Sequence, residues 1–306
     1  MQPERPPARG RRTRAAALAL AAAAPGLVAL ARPAPLAAGP EPAQAQAPGA
    51  PVGFSPASGY RLVKDWDFAS RIRDQAALRR EFHTRYIYAG GSLDHLNDEW
   101  SRYRDRDNHV FTQAGLSLVA RAPAGAAPGA VESGMLRSRW SGQYGVFEIR
   151  MRVPAGRGLW PAFWLNPEDQ RWPPEIDVVE IVNNGRDTTR ESFHFLHPAP
   201  PATASASGGG ASRLDDHQVF RPGVDYAQGF HVFAVEWTPE RVRHFVDGQL
   251  VADRPFRWRH EDGSDGGPAH LLVNLAVGGH WPGAPAPGEA ALPARLDIDY
   301  LRVWQR

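Results

Sequence analysis

The chain has 306 residues, with 35 Lys plus Arg, 33 Asp plus Glu and no cysteine. That length suits one large or two small domains. The missing cysteines exclude disulfides and thiolate metal centres, but they do not exclude secretion.

Residues 1–47 read as an export signal. Arg9, Arg11, Arg12 and Arg14 precede the Ala/Leu/Val run Ala15–Ala31, and Ala43-Gln44-Ala45 and Ala45-Gln46-Ala47 offer small-x-small cleavage sites. The run is short for a membrane span and is broken by Pro25, so no stable membrane association is expected. The Arg11-Arg12 pair leaves both the Sec and the twin-arginine routes open, and the product is expected outside the cell or in a periplasm. Residues 1–47 contain six arginines and two acids. Without them the 35 basic and 33 acidic residues become 29 and 31, a net charge of −2. A chain balanced in this way has no electrostatic case for nucleic acid or an anionic membrane.

Residues 48–56 form an Ala/Pro-rich lead-in, and residues 57–306 are expected to form a single domain that holds all ten tryptophans. Asp74–Phe82 is the one short helix that the pattern supports. The rest reads as strands between turn signals, the signature of a sandwich or barrel. Phe147–Val153 alternates, with Phe147, Ile149, Met151 and Val153 facing a core. Leu159–Leu165 alternates with Trp160, Ala162 and Trp164 on one face. Glu175–Glu180 is acidic and β-branched, Ser192–Leu196 is a short strand, and residues 199–216 form a long loop. Arg241–Val246, Asp247-Gly248 and Gln249–Val251 make a tight hairpin. Leu271–Val277 is a buried strand interrupted by Asn274, and Leu296–Trp304 closes the chain. No fixed-period repeat is visible. The fold class expected is all-β, a jelly-roll sandwich of two curved antiparallel sheets with a concave groove.

The chemistry concentrates in Glu175-Ile-Asp-Val-Val-Glu180. Alternation puts Glu175 and Asp177 on one face, while Glu180, five positions on, should point the opposite way. A β-bulge at Val178–Val179 would add one residue and return Glu180 to the carboxylate face. The two glutamates would then be separated by roughly 13 Å at Cα, four strand steps. Their long side chains could close that gap to the about 5–5.5 Å that a retaining glycosidase needs. Such a pair supplies an ionised nucleophile and a protonated acid, because crowded carboxylates raise one another's pKa. A solvated acidic face or a hard-cation site are the alternatives for the same residues.

Glu175–Glu180 resembles the E-x-D-x-x-E signature of glycoside hydrolase family 16. Tyr144–Arg150, Gly158–Leu165, Ser192–His194, Phe230–Trp237, Asn274–Gly283 and Asp299–Val303 are similar to family segments in the same order. The resemblance implies an endo-acting, retaining hydrolase of β-linked polysaccharide, with Glu175 as nucleophile, Glu180 as acid/base and Asp177 assisting. It implies no cofactor for catalysis and a protein that acts as a monomer. The two-residue spacing before Glu180 resembles the bulged, laminarinase-like branch, which makes β-1,3-glucan the first substrate expected.

Sugar rings stack on tryptophan faces, so Trp160, Trp164, Trp172 and Trp281 are candidate groove residues beside a core-packing alternative. The resemblance adds Asn97 and Trp100 on the glycone side, and His194 near the acid/base or a substrate hydroxyl, with a hydrogen-bonded core histidine as the alternative for His194. Asn274, on an apolar strand, needs a partner if buried and serves either the groove or a loop. Many family members carry a structural calcium, and Asp299 matches one of its ligands in position. Three other functions remain open at this stage. They are a transglycosylase, a hydrolase of agar- or carrageenan-like galactans that uses the Arg102–Arg106 segment, and a non-catalytic carbohydrate-binding protein. The retained acids argue against the last.

Overall fold

Alternating apolar residues at period two build two face-to-face sheets, and the segments between them carry the glycines and prolines. The structure, a computed structural model, describes residues 59–122, 130–199, 216–285 and 292–306. The expected export signal 1–47, the lead-in 48–56 and all but the edges of the 199–216 loop lie outside the described residues.

The strands in chain order are β1 (Arg61–Asp67), β2 (Phe82–His83), β3 (Ser101–Tyr103), β4 (His109–Thr112), β5 (Gly115–Ala120) and β6 (Val131–Ser133). Next come β7 (Met135–Gly142), β8 (Gly145–Arg152), β9 (Leu159–Pro167), β10 (Glu175–Glu180), β11 (Ser192–His197) and β12 (Asp216–Phe220). The last are β13 (His231–Trp237), β14 (Arg241–Val246), β15 (Gln249–Pro255), β16 (Ala269–Val277) and β17 (Ala294–Gln305). One sheet runs β15-β14-β13-β8-β17-β5-β4 with β1 paired to β17, and the other runs β12-β11-β10-β9-β16-β7-β2. Every pairing in these two sheets is antiparallel; the small β3–β6 pair is parallel. This is the jelly-roll sandwich expected.

The helix α1 (Gln75–Glu81) is capped by Asp74, whose side chain accepts from the Ala77 amide, and buries Leu78. The β14–β15 hairpin turns through Asp247 (φ 48°) and Gly248 (φ 78°), the paired positive φ of a type I′ turn. One apolar core lies between the sheets and takes Phe147, Ile149 and Met151 from β8, Phe163 and Leu165 from β9, and Val178 and Val179 from β10. A second, smaller cluster lies on the opposite, open face of the β9–β16–β7 region. There Tyr86, Tyr88, Leu96 and Tyr103 cover Met135, Ala162, Trp164 and Leu272. The segment before β4 therefore closes over part of the open face and leaves β10 and β11 at its margin.

Candidate active site

The bulge expected in β10 is present. Against β11, Asp177 pairs with Phe195 and Glu180 with Phe193, so three steps on β10 face two on its partner. Against β9, Asp177 pairs with Trp164, Val179 with Phe163 and Glu180 with Ala162. The added residue sends both valines to the core and brings Glu180 round to the face that holds Glu175 and Asp177. All three acids are buried, Glu180 the least at 9% exposure.

His197, at the end of β11 and paired with Glu175, completes the cluster. Its Nε2 lies 2.7 Å from Asp177 Oδ2 and 3.6 Å from Glu175 Oε1. The Trp160 indole donates from Nε1 to Glu180 Oε1 at 2.9 Å. Burial, and after it the neighbouring Asp177 carboxylate, hold the Glu180 carboxyl well above the usual range, so it retains its proton at a pH where an exposed glutamate is ionised. An acid that holds a proton beside a second carboxylate is the arrangement that glycosidic cleavage requires.

Aromatic side chains line the approach. Trp281 meets Trp160 edge-on at 5.1 Å between ring centroids and meets Phe193 at 5.4 Å and Phe195 at 6.0 Å. Trp172 is half-buried beside His197, 6.1 Å between rings. Trp164 is on the open face as expected, but at 6% exposure it serves mainly as floor beneath the tyrosines. Its indole donates to Asn274 Oδ1 at 2.8 Å, Asn274 Nδ2 donates to the Tyr103 hydroxyl at 3.0 Å, and that hydroxyl donates to Glu99 Oε2 at 2.8 Å. Asn274 thus anchors the floor of the groove. Burial raises the Glu99 carboxyl to about 7.

Asn97 takes a left-handed conformation (φ 51°) in the covering segment and is half-buried. The Trp100 amide donates to the Val277 carbonyl at 2.8 Å, and its ring lies over Gly278. A Cβ at Gly278 would meet that ring at 2.5 Å, and φ there is +72°, so glycine is required on both counts.

Two expectations are corrected. His194 neither lines the groove nor reaches Glu180. It alternates with Phe193 and Phe195, which take the open face, so its ring enters the core and bonds the Val178 carbonyl and Ser192. Asp299 does not fit a calcium ligand, because its carboxylate is bound by the Arg150 guanidinium. A calcium ion gathers six to eight oxygens. Among the described residues, the group of three or more acids or histidines close enough to share an ion is Glu175, Asp177 and His197, in the cleft itself.

Sequence reading also missed His197 and the tyrosines of the covering segment. Carrying the alternation of Phe193 and Phe195 one step past Leu196 would have put His197 beside the acids.

The model for glycosyl hydrolases family 16 matches residues 97–302. The chain belongs to glycosyl hydrolase family 16. A beta-glucanase of Rhodothermus marinus is 37% identical over 184 residues, covering 55% of this chain and 60% of that protein. A keratan-sulfate endo-1,4-beta-galactosidase of Sphingobacterium multivorum is 30% identical over 242 residues, 72% of this chain and 51% of that protein. This family 16 chain thus spans roughly half to three-fifths of the length of these two curated relatives. Among solved structures, the laminarinase catalytic domain of Thermotoga maritima superposes with a TM-score of 0.62 at 28% identity, covering 81% of this chain and 98% of that one. The laminarinase of Rhodothermus marinus gives a TM-score of 0.61 at 30% identity, covering 80% of this chain and 97% of that one.

Proposed function

We propose that the chain is an exported, endo-acting β-glycanase that hydrolyses β-1,3-glucan with retention of configuration, working as a monomer after residues 1–47 direct its export. The observation that carries the chemistry is the bulge, which gathers Glu175, Asp177 and Glu180 on one face under an aromatic wall. The beta-glucanase and laminarinase relatives support the choice of glucan. Among the described residues, no helix is long and apolar enough to cross a membrane.

Glu175 attacks the anomeric carbon while Glu180, held protonated by its surroundings, delivers its proton to the departing glycosidic oxygen. That oxygen leaves as the hydroxyl of one product, and the other stays as an ester on Glu175. Glu180, now ionised, receives the Trp160 N–H bond and takes a proton from the incoming water, which attacks the same anomeric carbon and releases Glu175. Asp177, hydrogen-bonded to His197, faces the nucleophile and raises the Glu180 pKa. The double displacement needs no cofactor.

The test is a panel of laminarin, mixed-linkage glucan, agarose, carrageenan and keratan sulfate, with reducing ends measured for the wild type and for Glu175→Gln. Laminarin turnover by the wild type, lost in the variant while oligosaccharide binding persists, is expected. Full activity in Glu175→Gln removes the nucleophile assignment, and turnover confined to a galactan replaces the substrate.

A further inference from the structure

A bulge leaves backbone groups outside the ladder, and a buried carbonyl with no donor costs as much as a lost hydrogen bond. In β10 the irregularity falls between Asp177 and Glu180, and the carbonyls of Asp177 and Val178 are each met by an imidazole. His194 Nδ1 lies 2.6 Å from the Val178 oxygen, and His244 Nε2 lies 3.1 Å from the Asp177 oxygen. The two rings come from different sheets. His194 is on β11, beside the bulge, and His244 is on β14, across the sandwich.

The hydrogen-bond network fixes which nitrogen of His194 carries the proton. The Val178 carbonyl can only accept, so the neutral ring donates from Nδ1 and its Nε2 accepts from the Ser192 hydroxyl at 3.0 Å, with the Tyr226 hydroxyl 3.2 Å from Ser192 Oγ. Nδ1 is therefore the protonated nitrogen, and it donates to Val178. His244 donates from Nε2, and its Nδ1 is buried with no hydrogen-bond partner. Both rings are buried, with centroids 5.2 Å apart. Burial lowers His194 to about 4 and His244 well below its ordinary value, so both stay neutral donors. Neighbouring inward positions on these strands carry Leu196, Val242 and Val246. Two polar rings in such a layer are costly unless each meets a group that needs a donor.

We infer that His194 and His244 are positioning residues, a two-sided clamp whose N–H groups hold the bulge carbonyls from the core side and so fix the Glu180 carboxyl on the open face. The inference rests on the proposed role of Glu180 as acid/base.

The test uses the full chain and matched substitutions. His194→Asn keeps a donor near the place of Nδ1 and His244→Gln near that of Nε2, whereas His194→Leu and His244→Phe remove the donors. The Leu and Phe variants are expected to lose about tenfold in kcat on laminarin with KM within about twofold, the scale of one hydrogen bond that no longer holds the acid in place. The Asn and Gln variants are expected to recover most of that loss. Wild-type kcat in folded Leu and Phe variants overturns the clamp, and so do Asn and Gln variants as slow as their Leu and Phe counterparts. Should the Leu and Phe variants fail to fold by circular dichroism, ¹⁵N spectra of the wild-type imidazoles decide. Protonated Nδ1 on His194 and protonated Nε2 on His244 support the clamp, and either opposite tautomer overturns it. Inactivity of the wild type on every glycan would instead strike the proposed function, and the tautomers would still judge the clamp.

Discussion

The Trp160 indole nitrogen donates to Glu180 Oε1 at 2.9 Å, so the same ring that helps form the aromatic wall with Trp281 also holds the buried acid. An N–H bond to a carboxylate is strongest when the carboxylate is ionised, the state Glu180 enters as it gives up its proton. Trp160→Phe keeps the flat ring and removes only the donor. We expect kcat to fall by about tenfold, with the Glu180 pKa moving further up, because the lost bond favours the charged form. Steady-state kinetics across pH measure both, and an unchanged alkaline limb would detach Trp160 from the acid.

The alkaline limb itself follows from the same group. Glycosylation needs protonated Glu180, so the rate falls as pH rises through a pKa that burial, first, and Asp177, second, have raised. Asp177→Asn removes the second cause, so the limb should move to lower pH. A limb that stays put would mean that Asp177 acts only through position.

Acid stability is expected to depend on buried neutral histidines. Burial lowers both His194 and His270 to about 4, below the ordinary 6.5 of an unfolded chain. Between those values the unfolded state binds more protons at these rings, so their contribution to stability rises with pH across that window and is lost as pH falls from about 6.5 towards about 4. The raised carboxyls of Glu99 and Glu180 contribute with the opposite sign in that window, so the test is the difference between proteins. Thermal melts from pH 7.5 to pH 4 should show less acid destabilisation in His194→Asn than in the wild type. Equal destabilisation would contradict the assignment.

The floor of the groove offers a further test. Tyr103 links Glu99 to Asn274, and Asn274 holds the Trp164 indole. Tyr103→Phe leaves Asn274 Nδ2 without its acceptor and Glu99 Oε2 with only the 3.4 Å bond from the Ser101 hydroxyl, which costs about 1–3 kcal/mol of stability. Chemical denaturation should show that loss, with KM for laminarin rising as Trp164 loosens. Wild-type stability would exclude the relay.

Much of the site was legible in the sequence because period two is strict there. The count of five between Glu175 and Glu180 contradicts a common face unless a residue is inserted, and the structure inserts it between Asp177 and Glu180. The same alternation placed Trp160 and Trp164 on the open face. The His194 expectation rested on the resemblance and not on alternation: Phe193 and Phe195 both face Trp281, and the histidine between them is the buried one. His197 was lost by ending β11 at Leu196 instead of one residue later. β7 gave no strand signal because arginines at 137 and 139 interrupt its apolar residues, and its register shifts opposite His270–Leu272. The tyrosine cover was out of reach for another reason. Tyr86 lies on irregular backbone, Tyr88 opens a kinked four-residue helix (Tyr88–Gly91) and Tyr103 ends a three-residue strand, and only tertiary contact with β9 and β16 shows what they cover.

The most direct measurement of the central claim is the anomeric configuration of the first product released from laminarin, followed by proton NMR before mutarotation. Two displacements at one carbon, through Glu175 and then water, predict the β-anomer first, with the α-anomer growing in later. An initial α-anomer would mean a single displacement and would contradict the assignment of Glu175 as nucleophile.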